Sequence, residues 1–291
     1  MAVFKKSHPN NVPGSLFVDT SCIDCGTCFH LGPTLFRENH DDKSVVMKQP
    51  ENKNEWQNAK QSILSCPTNS IGVQNPPEIF KQLGAGLPIH IAEEVYYLGY
   101  TARDSFGASS YLIKRPEGNV LVDSPRYHPW LIGELEKLGG VQKMFLTHQD
   151  DVADHKLFCA HFKCERIIHE EEITSDTESV EIILHGEEDV SLGKDLVAVM
   201  TPGHTKGSMC LLYRDKFLFT GDHLFVDQAH HILEASKGVC WYSWDEQIQS
   251  VEKLLKKNYE WILPGHGGWG LFSHSHQAIQ LLLREMKFRN I

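Results

Sequence analysis

No stretch of this 291-residue chain approaches the ~20 consecutive apolar residues that a membrane span needs. No long basic run appears either, and the net charge is −10, so nucleic acid and anionic membrane surfaces are poor partners. Met1 to Gly14 holds lysines but no apolar core of a secretory leader, and there is no internal repeat or low-complexity tract. A cytoplasmic protein is expected. The eight cysteines are too few and too unevenly placed for a disulfide scaffold, which turns attention to metal or redox chemistry. What is present is an apolar fraction of 41%, sufficient for real cores, and 17 histidines, several in short loop-like motifs.

Proline and glycine punctuate the stretch NPPEIFKQLGAGLP, which separates two patterns. We read residues 1–75 as a small cysteine-bearing domain, 76–89 as a linker and 90–291 as a larger domain. The larger part carries strand-like runs at Val95–Tyr100, Ser110–Lys114, Val120–Asp123, Lys143–Thr147, Arg166–His169, Leu196–Met200, Met209–Tyr213 and Phe217–Thr220. Helical patterns cover Pro129–Leu138, His155–Phe162, Asp245–Asn258 and His274–Phe288. Strands followed by helices, with polar motifs on the connections, indicate an α/β architecture.

In the small domain, SCIDCGTCFHLGP supplies Cys22, Cys25 and Cys28, and Cys66 follows much later, before Pro67. Three thiolates on one loop plus a distant Cys-Pro is the way a chain wraps an iron–sulfur cube. This resembles the bacterial-type ferredoxin. Where such ferredoxins carry a further Cys-Pro for a second cluster, this chain has Gly32–Pro33, so the resemblance implies a small α+β domain with one [4Fe–4S] cluster, poised at low potential by Asp19, Asp24, Glu38, Asp41 and Asp42. A zinc knuckle is the alternative, although zinc sites usually pair two C-x2-C units. Cys159, Cys164, Cys210 and Cys240, scattered on apolar segments, read as buried thiols.

Four further motifs follow strand ends: THQDDVADH (Thr147 to His155), TPGHTKGS (Thr201 to Ser208), TGDHLF (Thr220 to Phe225) and LPGHG (Leu263 to Gly267). Strand ends are where α/β folds converge side chains into one site, and imidazole with carboxylate suits zinc, iron or manganese. From about residue 90 onward the motifs resemble the metallo-β-lactamase superfamily. The resemblance implies an αββα sandwich with two divalent metals: His148 and His204 on the first, Asp154, His155 and His266 on the second, and Asp222 bridging. Asp150 stands where the family has its second loop histidine. As a ligand there it makes the first position harder and favours iron or manganese over zinc; turned outward, it would leave that position weak. Asp154 has an alternative as the cap of the helix that follows. We expect His223 to pack beside the site, His169 to be structural, Glu170–Glu172 to form a solvated face, and Trp241 and Trp244 to lie in the core, with the wall of the cleft as their alternative place.

The expected activity is hydrolysis of an ester, thioester or amide of a small-molecule substrate, with Asp222 and Asp150 as catalytic groups. An attached one-electron carrier raises two alternatives. One is a diiron-type oxidoreductase that reduces oxygen or nitric oxide with electrons from the cluster, itself reduced by a redox partner protein. The other is a redox sensor with a degenerate metal site.

Overall fold

The computed structural model describes residues 1–227 and 230–288, so the last three residues of the 90–291 domain lie outside it. The small domain is built around a minimal core. Strands Leu16–Val18 and Ile71–Val73 pair antiparallel, a hairpin joins Phe36–Asn39 to Lys43–Val46, and the short helix Thr27–Leu31 packs against the long helix Lys53–Ser65. The long helix starts where it does because the Asn52 side chain accepts from the Glu55 amide at 3.0 Å. Leu16, Val18, Leu35, Phe36, Val46, Trp56 and Ala59 fill the interior around Cys22, Cys28 and Cys66.

The larger part is the expected sandwich. A seven-stranded sheet runs, in spatial order, from Ile182–Leu184 through Glu165–His169, Lys143–Phe145, Val120–Val122, Tyr111–Ile113 and Val95–Tyr97 to Ile89–Ala92. A six-stranded sheet runs from Val190–Ser191 through Leu196–Met200, Met209–Tyr213, Phe217–Gly221 and Trp261–Pro264 to Gly270–Leu271. Alternation along the strands divides the interior into two layers. Leu196, Ala198, Met200, Leu211, Phe217, Phe219 and Leu263 enter the core between the sheets. Their neighbours Val199, Cys210, Leu212, Leu218 and Ile262 face helices Trp244–Leu254 and Ser275–Phe288 on the outside. Helices Pro129–Lys137 and His155–Phe162 cover the other sheet through Leu131, Ile132, Leu135 and Phe158.

The 76–89 stretch is more than a tether. It holds the helix Glu78–Gln82, Phe80 and Leu83 pack into the small core, and Leu87 packs into the large one. The two parts also bond directly: Thr101 Oγ1 donates to the Ser65 carbonyl at 2.6 Å, Arg126 donates to the Leu64 carbonyl at 3.2 Å, and Thr27 Oγ1 donates to the Gly107 carbonyl at 3.2 Å. Leu31 of the short helix belongs to the large core. The cysteine-bearing loop is therefore fixed against the sandwich. No described helix is long and apolar enough to cross a membrane.

Candidate metal centre

The His/Asp centre sits at the strand ends of both sheets. Strand Lys143–Phe145 leads into the loop carrying His148, Asp150 and Asp151; Leu196–Met200 leads to His204; Phe217–Gly221 to Asp222; Trp261–Pro264 to His266. Asp222 Oδ2 lies 3.9 Å from Nε2 of His148, 3.9 Å from Nε2 of His204 and 3.4 Å from Nε2 of His266. Asp150 Oδ2 lies 3.5 Å from His204 Nε2 and 3.9 Å from His148 Nε2. Donor atoms that share one ion at about 2.0–2.2 Å stand roughly 3.3 Å apart, so these separations suit shared metals. Two trios close to within 4.8 Å: His148, Asp150 and His204, and His148, Asp151 and Asp222.

Metal-free, the group is poorly satisfied. His148 Nε2, both ring nitrogens of His204, Asp151 Oδ2 and Asp222 Oδ1 are buried without a hydrogen-bond partner. Unpaired buried polar atoms of this kind are costly unless something binds them. Burial, followed by the charges of Asp222 and Asp123, pushes the Asp151 carboxyl well above its usual range, and burial likewise lifts Asp123 up to about 8. Burial holds the His148 imidazole down to about 4, hence neutral and ready to ligate. Burial also pulls His204 down, but the Asp150 carboxylate 3.5 Å from its Nε2 and the Asp222 charge outweigh it, and it is raised overall. The nearby His204 in turn holds Asp150 below its ordinary value. Three imidazoles and three carboxylates without a resident cation fit the expected metals.

Supporting residues fix this geometry. His148 Nδ1 lies 3.0 Å from Thr147 Oγ1, which donates to Asp123 at 3.0 Å. That chain orients the ring and leaves Nε2 toward the centre. Gly203, at φ 150°, approaches Gln247 so closely that a β-carbon would stand 2.4 Å from its Cα. The same loop offers the His204 carbonyl to the Trp241 amide at 2.8 Å, docking the helix Trp244–Leu254. Gly265 leaves room for the carboxylates, since a β-carbon there would lie 2.5 Å from Asp222 Oδ1 and 2.8 Å from Asp151 Oδ2.

Asp154 and His155, expected on the second metal, point elsewhere. Asp154 accepts from the Tyr127 amide at 2.7 Å. Nor does its side chain cap the helix. Both ring nitrogens of His155 are engaged, one with the Asp176 carbonyl at 3.2 Å and the other with Arg166 at 3.2 Å. Asp151 takes the place beside Asp222. Glu172 is a further correction: Glu170 and Glu171 face solvent, but Glu172 is fully buried and accepts from the Gln149 amide at 2.9 Å and the Gly207 amide at 2.6 Å, tying two ligand loops together. Glu172→Ala would orphan both amides, and we expect a loss of about 2–4 kcal/mol, measured by denaturant unfolding. Trp241 takes the alternative place, 64% exposed at the cavity wall and not in the core, while Trp244 is buried as expected. His223 is buried beside His204, and burial first, then His204, drives it down to about 3.

The centre floors a cavity of about 510 Å³, walled by Phe106, Phe225, Val239 and Trp241. Cys25 lines the same cavity. The other three cysteines of its set are buried, and Cys25 is half-buried. Among the described residues no three cysteine sulfurs lie within 4.8 Å of one another. A zinc tetrathiolate, at Zn–S of about 2.3 Å, would bring them to roughly 3.8 Å, so the spacing favours the larger cube. Amides of Asp24 and Ser44 reach Cys22 Sγ at 3.4 Å, and that of Ser70 reaches Cys66 Sγ at 3.3 Å.

Comparisons agree with this division. Residues 18–73 match the 4Fe-4S single cluster domain of Ferredoxin I, and residues 103–266 match the Metallo-beta-lactamase superfamily. A hydroxyacylglutathione hydrolase from Citrobacter koseri is 27% identical over 147 residues, half of this chain and 55% of that protein, so the chain spans about half the length of this curated relative. Among solved structures, a metallo-beta-lactamase from Pontibacter korlensis aligns at TM-score 0.52 with 17% identity over 68% of this chain and 97% of that one. The DIM-1 metallo-beta-lactamase aligns at TM-score 0.52 with 15% identity over 68% and 94%. At these identities the likeness shows the fold alone.

Proposed function

We propose that this chain, which belongs to the metallo-beta-lactamase superfamily and carries a single-cluster 4Fe-4S domain, hydrolyses a neutral thioester or ester with an apolar acyl group. The observation that carries the reading is the convergence of His148, Asp150, Asp151, His204, Asp222 and His266 at the floor of an open cavity. Two divalent metals bound there would activate water near neutral pH and polarise the scissile carbonyl. His148, Asp150 and His204 would hold one ion and Asp151 and His266 the other, with Asp222, close to all three imidazoles, between them. Asp150 has 44% of its side chain exposed to the cavity and is held ionised, which places it to orient a water or receive its proton.

The walls narrow the substrate. Phe106, Phe225, Val239 and Trp241 offer apolar surface, Ser105 and Ser236 offer hydroxyls, and among the described residues no lysine or arginine lines the cavity. The carboxylates of a glutathione thiol would find no cationic partner on these walls, so that relative's leaving group does not transfer to this chain. The test is hydrolysis of a neutral aromatic thioester against its glutathione counterpart by metal-loaded protein. We expect the neutral substrate to be preferred and Trp241→Ala to raise its KM with little change in kcat; no hydrolysis of either would refute the reading.

The metal-free site has a pH signature. Asp123 and Asp151 have folded-state pKa values raised above the unfolded value of about 3.9, so their contribution to stability is complete below that value and is lost at higher pH, for Asp123 as pH rises toward about 8. We expect the melting temperature of metal-free protein to fall between pH 6 and 8, and metal loading to remove that slope.

A further inference from the structure

We infer that the cluster loop and the His/Asp centre form one electron-transfer unit, with Cys25 and His266 as its facing terminals and Gly107 setting their separation. This goes beyond hydrolysis, which has no use for an electron. Three independent features meet at the domain interface.

First, of the four cysteines it is the half-buried one, Cys25, that opens into the cavity floored by the centre. Second, the space behind that wall is nearly closed. Cys25, Gly107, Gly265 and His266 surround a void of about 10 Å³. That is at the lower limit for a single water, so on this side the two loops pack closely. The backbone continues the contact: the Ser109 amide donates to the Gly265 carbonyl at 2.6 Å, and Gly265 precedes His266. Third, Gly107 is there because nothing larger fits. At φ 89°, a β-carbon on it would stand 2.7 Å from Cys25 Cβ and 2.8 Å from its sulfur. The Thr27 hydroxyl, donating to the Gly107 carbonyl at 3.2 Å, holds the two loops in register. Gly107 and Thr27 thus hold Cys25 at the wall of the cavity that the centre floors, a placement that a cluster serving only to staple a small domain does not need.

The donor set at the far end accepts this role. With Asp150 beside His148 and His204, the first position presents two imidazoles and one carboxylate, an arrangement suited to redox-active iron. The electron balance is simple. A reduced one-electron carrier supplies one electron to the cluster, the reduced cluster returns to its oxidised form, and a ferric ion at the centre becomes ferrous; no bond is made or broken.

Flash photoreduction of anaerobic full-length protein tests this with cluster absorbance as the readout. With the centre loaded with ferric iron, the bleach should recover at once as the electron moves on. With zinc in the centre, which cannot accept it, the bleach should persist. Equal recovery in both forms would overturn the inference, and zinc-loaded hydrolysis measured separately keeps that outcome distinct from failure of the hydrolytic reading. Gly107→Ala, by forcing Cys25 away, should slow recovery by an order of magnitude or more. If that variant does not assemble its cluster, Thr27→Val, which removes the hydroxyl that bonds the Gly107 carbonyl and lies 3.3 Å from the Cys25 sulfur, should slow it several-fold. Recovery at the native rate in whichever variant retains cluster and metal would overturn the assignment of Cys25 and Gly107.

Discussion

Asp222→Ala should empty the centre and lower hydrolysis by about 10³-fold or more, the scale on which single charge-stabilising groups act. Its Oδ2 lies within 4 Å of Nε2 on His148, His204 and His266 at once, so among the described residues no other side chain joins both halves of the site in the same way. Loss of this carboxylate also removes the negative charge that all three imidazoles share. Metal content and kcat/KM should fall together, while absorbance of the cluster should persist, because Cys22, Cys28 and Cys66 lie in a core of their own with separate hydrogen bonds. A variant that keeps its metals and its rate would mean that Asp222 is only a packed carboxylate.

The second large effect separates Asp151 from Asp154. Asp151→Ala should remove about one metal per chain and most of the activity, since a two-metal clamp needs both ions. Asp154→Ala should keep both metals and cost about 1 kcal/mol, from the lost bond to the Tyr127 amide. Metal analysis of the two purified variants checks this; the reverse pattern would restore Asp154 to the centre.

That contrast shows how far the residues could be read without coordinates. Continuously apolar runs, such as Leu196–Met200 and Met209–Tyr213, stand where their pattern puts them, because each side has a core to fill. The position of each ligand loop after a strand end was equally legible. The order of residues within the first loop was not. Asp150 and Asp151 are adjacent, and adjacent side chains ordinarily diverge; the turn through this loop brings both to His148, Asp150 on the His204 side and Asp151 on the Asp222 side. Asp154 and His155 look like ligands by type, but His155 begins a helix and Arg166, a strand away, claims one of its nitrogens. Glu172 hid in a run of acids because its neighbours do find solvent partners, Glu170 with His185 and Glu171 with Lys206. Nothing in the spacing of the cysteines revealed that Cys25 would face the metal cavity. That follows from Gly107, a residue unremarkable in sequence whose missing side chain admits the loop.

Elemental analysis of anaerobically purified protein, per chain, tests the account most directly. The prediction is about four irons and four acid-labile sulfides for the cluster, plus about two further metal ions that disappear in Asp222→Ala while the sulfide stays. A colourless protein without sulfide, or one whose metal content is unchanged by Asp222→Ala, would contradict it.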